Sequence, residues 1–391
     1  MLASRSTNVI TLGCRLNLAE SESIRALAGD RDMVVVNSCG VTNEAMRQTR
    51  AALRRARRDR PLAEIVVTGC ASDIDRAAFA AMPEVDRIVP NAAKLLPATW
   101  GGFLNRQPPR RHARAFVGVQ NGCDHACTFC AIPRGRGSSR SSPVGEVVAR
   151  IAALADGGVQ EVILTGVDLT SYEGGLGALV EAILLAVPAL PRLRLSSLDT
   201  IEIDDRLFDL LTGELRVMPH LHLSLQSGDD LILKRMRRRH ARADAVAMVA
   251  RLKARRDIAI GADLIAGFPT ESEAAFANTL ALLDDCRIVH AHVFPFSPRA
   301  GTPAARMPQI DPSIVRARAA TLRSRAADRS RAWLDMLVGS TQTIVVEKPG
   351  DRGHTPAFAE VRLPRPLPQI GACADVRIVA AADDHLIGIP A

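Results

Sequence analysis

Eight consecutive residues, Cys123-Asp124-His125-Ala126-Cys127-Thr128-Phe129-Cys130, carry three thiols with no fourth cysteine beside them. Thiolates this close let one loop wrap an iron–sulfur cluster, and a cubic cluster has four irons to cover. A closed zinc site takes four protein ligands. Three thiols therefore point to a cluster with one iron left open. That iron could chelate the amino and carboxylate groups of S-adenosyl-L-methionine, whose reductive cleavage belongs to the cofactor rather than to side chains. Zinc held by Cys123, Cys127, Cys130 and His125 is the competing assignment. His125 is poorly placed for it, inside the short loop that the thiols already define.

Three further cysteines stand apart in sequence but share a context. Cys14, Cys39 and Cys70 each follow a β-branched run and a small residue, in Gly13-Cys14, Ser38-Cys39 and Gly69-Cys70. A single cysteine after a strand is more often a small buried residue than a ligand. Three in the same position favour a second cluster. Cys286 and Cys373 have no such companions and read as structural.

The elements that must position these thiols follow from hydrophobic periodicity. Asn8–Leu12, Met33–Asn37 and Glu64–Thr68 read as strands, with helical patterns over Ala19–Ala28 and Asn43–Arg58 between them. This alternation predicts a parallel sheet, and ligands of such sheets gather at the carboxyl ends of strands, where the cysteines fall. A linker rich in Gly, Pro and Arg spans Gly101–Ala113. Six more strand–helix units follow, with strands at Ala115–Gln120, Glu161–Gly166, Arg192–Leu198, His220–Leu225, Ile258–Ile265 and Val289–Phe296. They suit a partial (β/α) barrel with its site at the strand C-termini, and the clustered thiols come just after the first strand. Gly166, Asp168, Ser197, Gln226 and Asp263 lie at the expected strand ends, where they could hold S-adenosylmethionine or orient a base. The plain alternative for each is strand termination or capping. No side chain is nominated as an acid, base or nucleophile. Pro312–Leu337 reads as one Arg-rich helix. Beyond Gly339, short strand-like runs at Gln342–Glu347, Ala357–Arg362 and Ala374–Ala380 predict a small all-β barrel.

At 391 residues the chain is long enough for two or three domains. Its net charge of +8, carried mostly by Arg, favours a polyanionic partner. Candidate phosphate contacts are Lys234, Arg235, Arg237, Arg238 and Arg239, and the arginines of the long helix, for which a solvated face is an equal reading. Aromatics are only 3%, too few for a broad base-stacking platform, so a single nucleotide in a pocket fits better. Met1–Asn8 has no signal-peptide core, and Ala178–Leu190 is too short to span a bilayer. A cytoplasmic location without membrane contact is expected, where cysteines serve metals more often than disulfides.

The whole pattern resembles the methylthiotransferase family of radical S-adenosylmethionine enzymes over essentially the full length. The Cys123/Cys127/Cys130 loop with Ile132-Pro133 and Arg136-Gly137 is similar to the family's radical-cluster motif. Thr11–Cys14, Val36–Cys39 and Val67–Cys70 match its auxiliary-cluster cysteines. Leu223–Gly228, Ala262–Pro269 and Phe296–Pro303 look like its strand-end motifs. The resemblance implies an α/β chain: an N-terminal parallel-sheet α/β domain (residues 1–100), a linker (101–113), a radical-type partial (β/α)6 barrel (114–335) and a small C-terminal all-β TRAM-like RNA-binding barrel (336–391). It also implies two 4Fe-4S clusters, S-adenosyl-L-methionine, an electron donor and a tRNA anticodon stem-loop as partner. Leu164–Tyr172, Lys234–His240 and Val346–Gly350 look most like the branch that adds a methylthio group to carbon 2 of N6-threonylcarbamoyladenosine at tRNA position 37. The same chemistry on isopentenyladenosine or on a ribosomal-protein aspartate is the alternative, and a non-catalytic zinc protein that binds RNA is the rival of another class. Two departures stand out: a shortened interval between Cys14 and Cys39, and Arg134 where an aromatic residue is common.

Overall fold

The computed structural model describes residues 7–101 and 113–391; the expected linker lies almost wholly outside them, as does most of Met1–Asn8. The chain divides into two compact units. Among the described residues, one contains 7–101 with 120–140 and 297–302, and the other contains 113–119, 141–296 and 303–391.

The first unit is built on four parallel strands in sequence order: β1 (Asn8–Thr11), β2 (Met33–Ser38), β3 (Glu64–Gly69) and β4 (Arg87–Val89). All six residues of β2 are buried, as a strand covered on both faces requires. Alternation then assigns the faces. Val34, Val36, Ile65 and Val67 pack with Met46 and Leu53 of the helix Asn43–Asp59, whereas Met33, Val35 and Val66 pack with Ile24 of the helix Arg15–Ala28 and with Trp100. Thr42 caps the Asn43–Asp59 helix, its Oγ1 accepting from the Ala45 amide at 3.1 Å.

The second unit opens with six parallel strands: β5 (Arg114–Gly118), β6 (Glu161–Thr165), β7 (Arg192–Leu195), β8 (His220–Gln226), β9 (Ala259–Ala266) and β10 (Ile288–Pro295). Strands β7 and β8 are joined through Leu198, whose amide donates to His222 O at 2.8 Å and whose carbonyl accepts from the Ser224 amide at 2.9 Å. The result is the partial (β/α)6 barrel expected from the sequence. Helices Val144–Asp156, Leu176–Ala186, Asp205–Gly213, Arg242–Arg255 and Glu273–Asp285 cover its outside. The long helix Pro312–Met336 leads to a closed five-stranded barrel of β11 (Thr341–Glu347), β12 (Arg352–His354), β13 (Glu360–Arg362), β14 (Cys373–Ala381) and β15 (Leu386–Pro390).

This terminal barrel closes the N-terminal end of the six-stranded sheet. Glu161 and Arg194, both fully buried, pair through two hydrogen bonds of 3.0 and 3.2 Å. The Arg194 Nη1 then donates to Pro356 O at 3.0 Å, and Arg192 donates to Thr343 O at 2.7 Å. Phe358 stacks on His220 with ring centroids 4.9 Å apart, and the Arg194 guanidinium lies 4.9 Å from the Phe358 centroid. His290 meets the rings of His220, Trp333 and Phe358, and burial there pushes its pKa down to about 4. The unfolded imidazole titrates near 6.5, so as pH falls from 6.5 toward 4 the unfolded chain takes up a proton that the folded chain refuses. Stability should therefore drop across that window by about 3 kcal/mol more in the native protein than in His290→Gln. Unfolding followed at several pH values through Trp333 fluorescence checks this; parallel pH profiles for the two proteins would contradict it.

The arginines of the long helix are mostly spoken for. Arg318 is buried on Glu271 at 2.9 Å, Arg325 and Arg329 both pair with Asp284, and Arg331 reaches Asp335 and Asp383. Arg316 and Arg323 stay exposed, so the helix divides its arginines between intramolecular pairs and a solvated face. Among the described residues, no helix is long and apolar enough to cross a membrane.

Candidate active site

Six cysteines come together in the first unit. Register places the ends of β1, β2 and β3 side by side, with Thr11 opposite Asn37 and Ser38 opposite Gly69. Cys14, Cys39 and Cys70 leave these three adjacent ends. Gly13 and Gly69 turn the chain there with φ of +95° and +100°. A side chain at Gly13 would put its Cβ 2.6 Å from Cys39 Cβ and 2.8 Å from its Sγ, so only glycine lets the two strand ends approach this closely. Cys14 is exposed and Cys70 buried, with Cys39 between; burial pushes the Cys39 thiol pKa up.

The second triplet sits on the loop from Gln120 to Arg140. The amide of His125 donates to Cys123 Sγ and that of Ile132 to Cys130 Sγ, both at 3.4 Å, and Cys130 N–H donates to Cys127 O at 3.1 Å. Backbone N–H groups aimed at sulfur favour the thiolate form, which is the form that ligates iron. The donor set of each triplet thus fits an iron–sulfur cluster. The short helix Ile132–Arg136 brings the loop onto Cys70: a Cβ on Gly135 would lie 3.3 Å from Cys70 Cβ.

Between the triplets lies a buried charge network. The Arg136 guanidinium is 2% exposed and donates to Cys70 Sγ at 3.1 Å, to Glu20 Oε1 at 2.9 Å, to Asn121 Oδ1 at 2.8 Å and to Asn17 Oδ1. Glu20 also accepts from Lys94 Nζ at 2.6 Å, where the lysine side chain is wholly buried. Burial works against the Glu20 carboxylate, but Lys94 and Arg136 outweigh it and hold its pKa below the usual range. Burial likewise lowers the Lys94 pKa, with Glu20 opposing. Burial also works against Arg136, yet Cys70 and Glu20 raise its pKa further. Sequence reading missed this network, although one signal was present. Glu20 occupies the middle of the Leu16, Glu20, Ile24 stripe, where a helix buries apolar residues.

A second long-range anchor comes from residues 297–302. Arg299 donates to Gly40 O at 2.7 Å and to Asn43 Oδ1 at 2.6 Å, fixing the turn that follows Cys39. Arg134, the departure noted above, donates to Ala300 O at 2.7 Å.

The barrel candidates of the second unit divide. Gly166 follows β6 and Ser197 follows β7. Gln226 ends β8 in the left-handed region at φ +67°. Asp168 accepts from Ser171 Oγ at 2.6 Å and from Thr170 Oγ1 at 3.3 Å, two hydroxyls of the turn that follows it. Asp263 is not at a strand end; it stands inside β9 opposite His292, because β9 runs to Ala266. Its Oδ1 accepts from His222 Nε2 at 2.9 Å and pairs with His292 Nδ1 at 3.1 Å. Burial opposes its charge, but these two imidazoles hold its pKa well below the ordinary carboxylate range. The basic stretch after β8 is partly neutralised. Arg238 donates to Asp199 at 2.7 Å, Arg239 pairs with Glu202, and Arg235 donates to Thr270 Oγ1 at 2.6 Å. Lys234 and Arg237 stay exposed.

Comparison with known proteins agrees with this architecture. Residues 117–283 match the model of the Radical SAM superfamily, and residues 6–90 match that of Uncharacterized protein family UPF0004. The chain is 40% identical to the Threonylcarbamoyladenosine tRNA methylthiotransferase MtaB of Rickettsia prowazekii, over 97% of this chain and 96% of that one. It is 32% identical to the tRNA-2-methylthio-N(6)-dimethylallyladenosine synthase of Maricaulis maris, over 97% and 95%. Among solved structures it resembles the radical S-adenosylmethionine methyltransferase TsrM of Kitasatospora setae, with a TM-score of 0.53 and 16% identity over 74% of this chain and 66% of that one, a likeness of fold. Near-complete coverage at 40% identity leaves no part of the architecture unaccounted for, and the chain belongs to the methylthiotransferase family of radical S-adenosylmethionine enzymes.

Proposed function

We propose that this chain adds a methylthio group to carbon 2 of N6-threonylcarbamoyladenosine at tRNA position 37. The observation that supports this most is the gathering of two cysteine triplets in one compact unit, in a chain 40% identical to a relative named for that nucleoside. Cys123, Cys127 and Cys130 would hold one 4Fe-4S cluster together with S-adenosyl-L-methionine, and Cys14, Cys39 and Cys70 a second. When bound, the first would supply one-electron cleavage of S-adenosylmethionine and the second would carry the sulfur to be inserted.

The residues of the chain position these parts. Amides of His125 and Ile132 favour the thiolates of Cys123 and Cys130, and Arg136 sets a fixed positive charge beside Cys70. Gly166, Asp168, Ser197 and Gln226 are proposed to hold S-adenosylmethionine or orient the adenine from the strand ends. Asp263 acts one layer deeper, through the imidazoles it holds. Lys348, Arg365 and Arg377, exposed on the terminal barrel, are suited to phosphates of the anticodon stem-loop. The work would take place in the cytoplasm with an external electron donor.

The 32% identity to relatives named for dimethylallyladenosine keeps that nucleoside as the second reading. Mass spectrometry of tRNA nucleosides from a strain lacking this protein separates the two. Loss of the methylthio form of threonylcarbamoyladenosine is expected. Loss of the isopentenyl form alone, or no change in tRNA, would defeat the proposal.

A further inference from the structure

The interior of the (β/α)6 barrel is closed at one end and polar midway. Along β10, residues His290, His292 and Phe294 alternate inward. His290 is packed against Phe358 and Trp333, so the N-terminal end is sealed. One pleat higher, the side chain of His292 is 61% exposed, and one pleat above that Phe294 is 42% exposed. The Phe294 ring stands perpendicular to His292 with centroids 6.4 Å apart. A group entering from the strand C-termini along β10 would pass Phe294 and meet His292 before the sealed layer.

His292 is held for a purpose other than packing. Asp263 Oδ1 fixes its Nδ1 at 3.1 Å and shares the same oxygen with His222 at 2.9 Å. His222 is itself wedged in place, since a Cβ on Gly261 would lie 2.5 Å from its Nδ1. The centroids of the two imidazole rings are 4.5 Å apart. In its protonated form His292 donates from both nitrogens. The Nδ1–H is spent on Asp263, which leaves the Nε2–H as a charge-assisted donor for a ligand. A dimethylallyl substituent has no acceptor to use it. A threonylcarbamoyl substituent ends in a carboxylate.

Resting on the proposed function above, we infer that His292, oriented by Asp263 and backed by His222, receives the carboxylate of the threonylcarbamoyl group, and that it is a specificity-determining residue. The test uses the full-length, anaerobically reconstituted protein. Two anticodon stem-loops are compared, one carrying N6-threonylcarbamoyladenosine and one carrying its carboxamide analogue. Both turnover and equilibrium binding are measured, since binding requires no chemistry. The native protein should prefer the carboxylate form by about tenfold to a hundredfold, the range of one charge-assisted hydrogen bond. In His292→Gln that ratio should collapse toward one, and His292→Lys should restore part of it. An unchanged ratio in His292→Gln, with the native protein active on the threonylcarbamoyl stem-loop, would sink the inference and leave the proposed function standing. A native protein that modifies only a dimethylallyl stem-loop would remove both. A tightly held non-iron metal ion lost on His292→Gln would also overturn the inference, by reassigning the three side chains as metal ligands.

Discussion

Cys127→Ala is expected to abolish cleavage of S-adenosylmethionine, whereas Cys39→Ala is expected to keep cleavage and lose the methylthiolated product. The asymmetry follows from where the two thiols stand. Cys127 belongs to a loop of three closely spaced cysteines with Cys123 and Cys130 tied into it by amide-to-sulfur hydrogen bonds. Removing one of three thiolates leaves two, and no fourth cysteine stands beside them in the loop. Cys286 is fully buried, and burial pushes its thiol up to about 12, so it stays protonated and does not ligate. Cys373 lies on β14 of the terminal barrel. Cys39 instead follows β2, packed against Gly13, and its loss leaves the hydrogen bonds of the Gln120–Arg140 loop intact. Iron and sulfide analysis should show about half the metal retained in either variant if each triplet holds one four-iron cluster. Release of 5′-deoxyadenosine, followed by chromatography, should then persist only in Cys39→Ala. Product formation at the native rate in Cys39→Ala would overturn the auxiliary-cluster assignment.

The cysteines were legible in the sequence because their information is local. Spacing within eight residues defines one triplet, and a cysteine after a β-branched run defines each member of the other. Strand–helix alternation supplied the parallel sheets for the same reason. The partners of these elements were not legible, because they come from far along the chain. Glu20 meets Lys94 across 74 positions and Arg136 across 116. Arg299 reaches Gly40 across 259. A basic run such as Lys234–His240 advertises its charge but not the carboxylates of Asp199 and Glu202 that offset two of its five cations. Strands of three residues, such as β4 and β12, are too short to carry a period of two, so only part of the terminal barrel was readable, although the run Ala357–Arg362 does cover β13. The strand-end expectation for Asp263 failed for a related reason. A strand buried on both faces continues past the polar residue that marks its inward pair.

Glu20→Gln should be the most damaging single change to the stability of the first unit. It leaves the Lys94 ammonium and the Arg136 guanidinium buried, with no carboxylate between them. Breaking a buried pair by removing one partner costs about 3–5 kcal/mol, because the surviving charge keeps its desolvation penalty. Lys94→Met should cost much less, since Glu20 then retains Arg136 at 2.9 Å and no charge is stranded. The double variant Glu20→Gln/Lys94→Met should recover part of the loss, because it removes one of the two stranded cations; the coupling should be about 1–3 kcal/mol. Trp100 reports the outcome directly: it is fully buried in this unit, and its indole Nε1 donates to Lys94 O at 2.8 Å. Denaturant unfolding followed by its fluorescence gives the cycle. The same variants should hold iron less tightly, because Arg136 links Glu20 to Cys70 through one guanidinium. Additive effects of the two substitutions would mean that the three charges act separately, and Arg136 would then owe its position to Asn17, Asn121 and Cys70 alone.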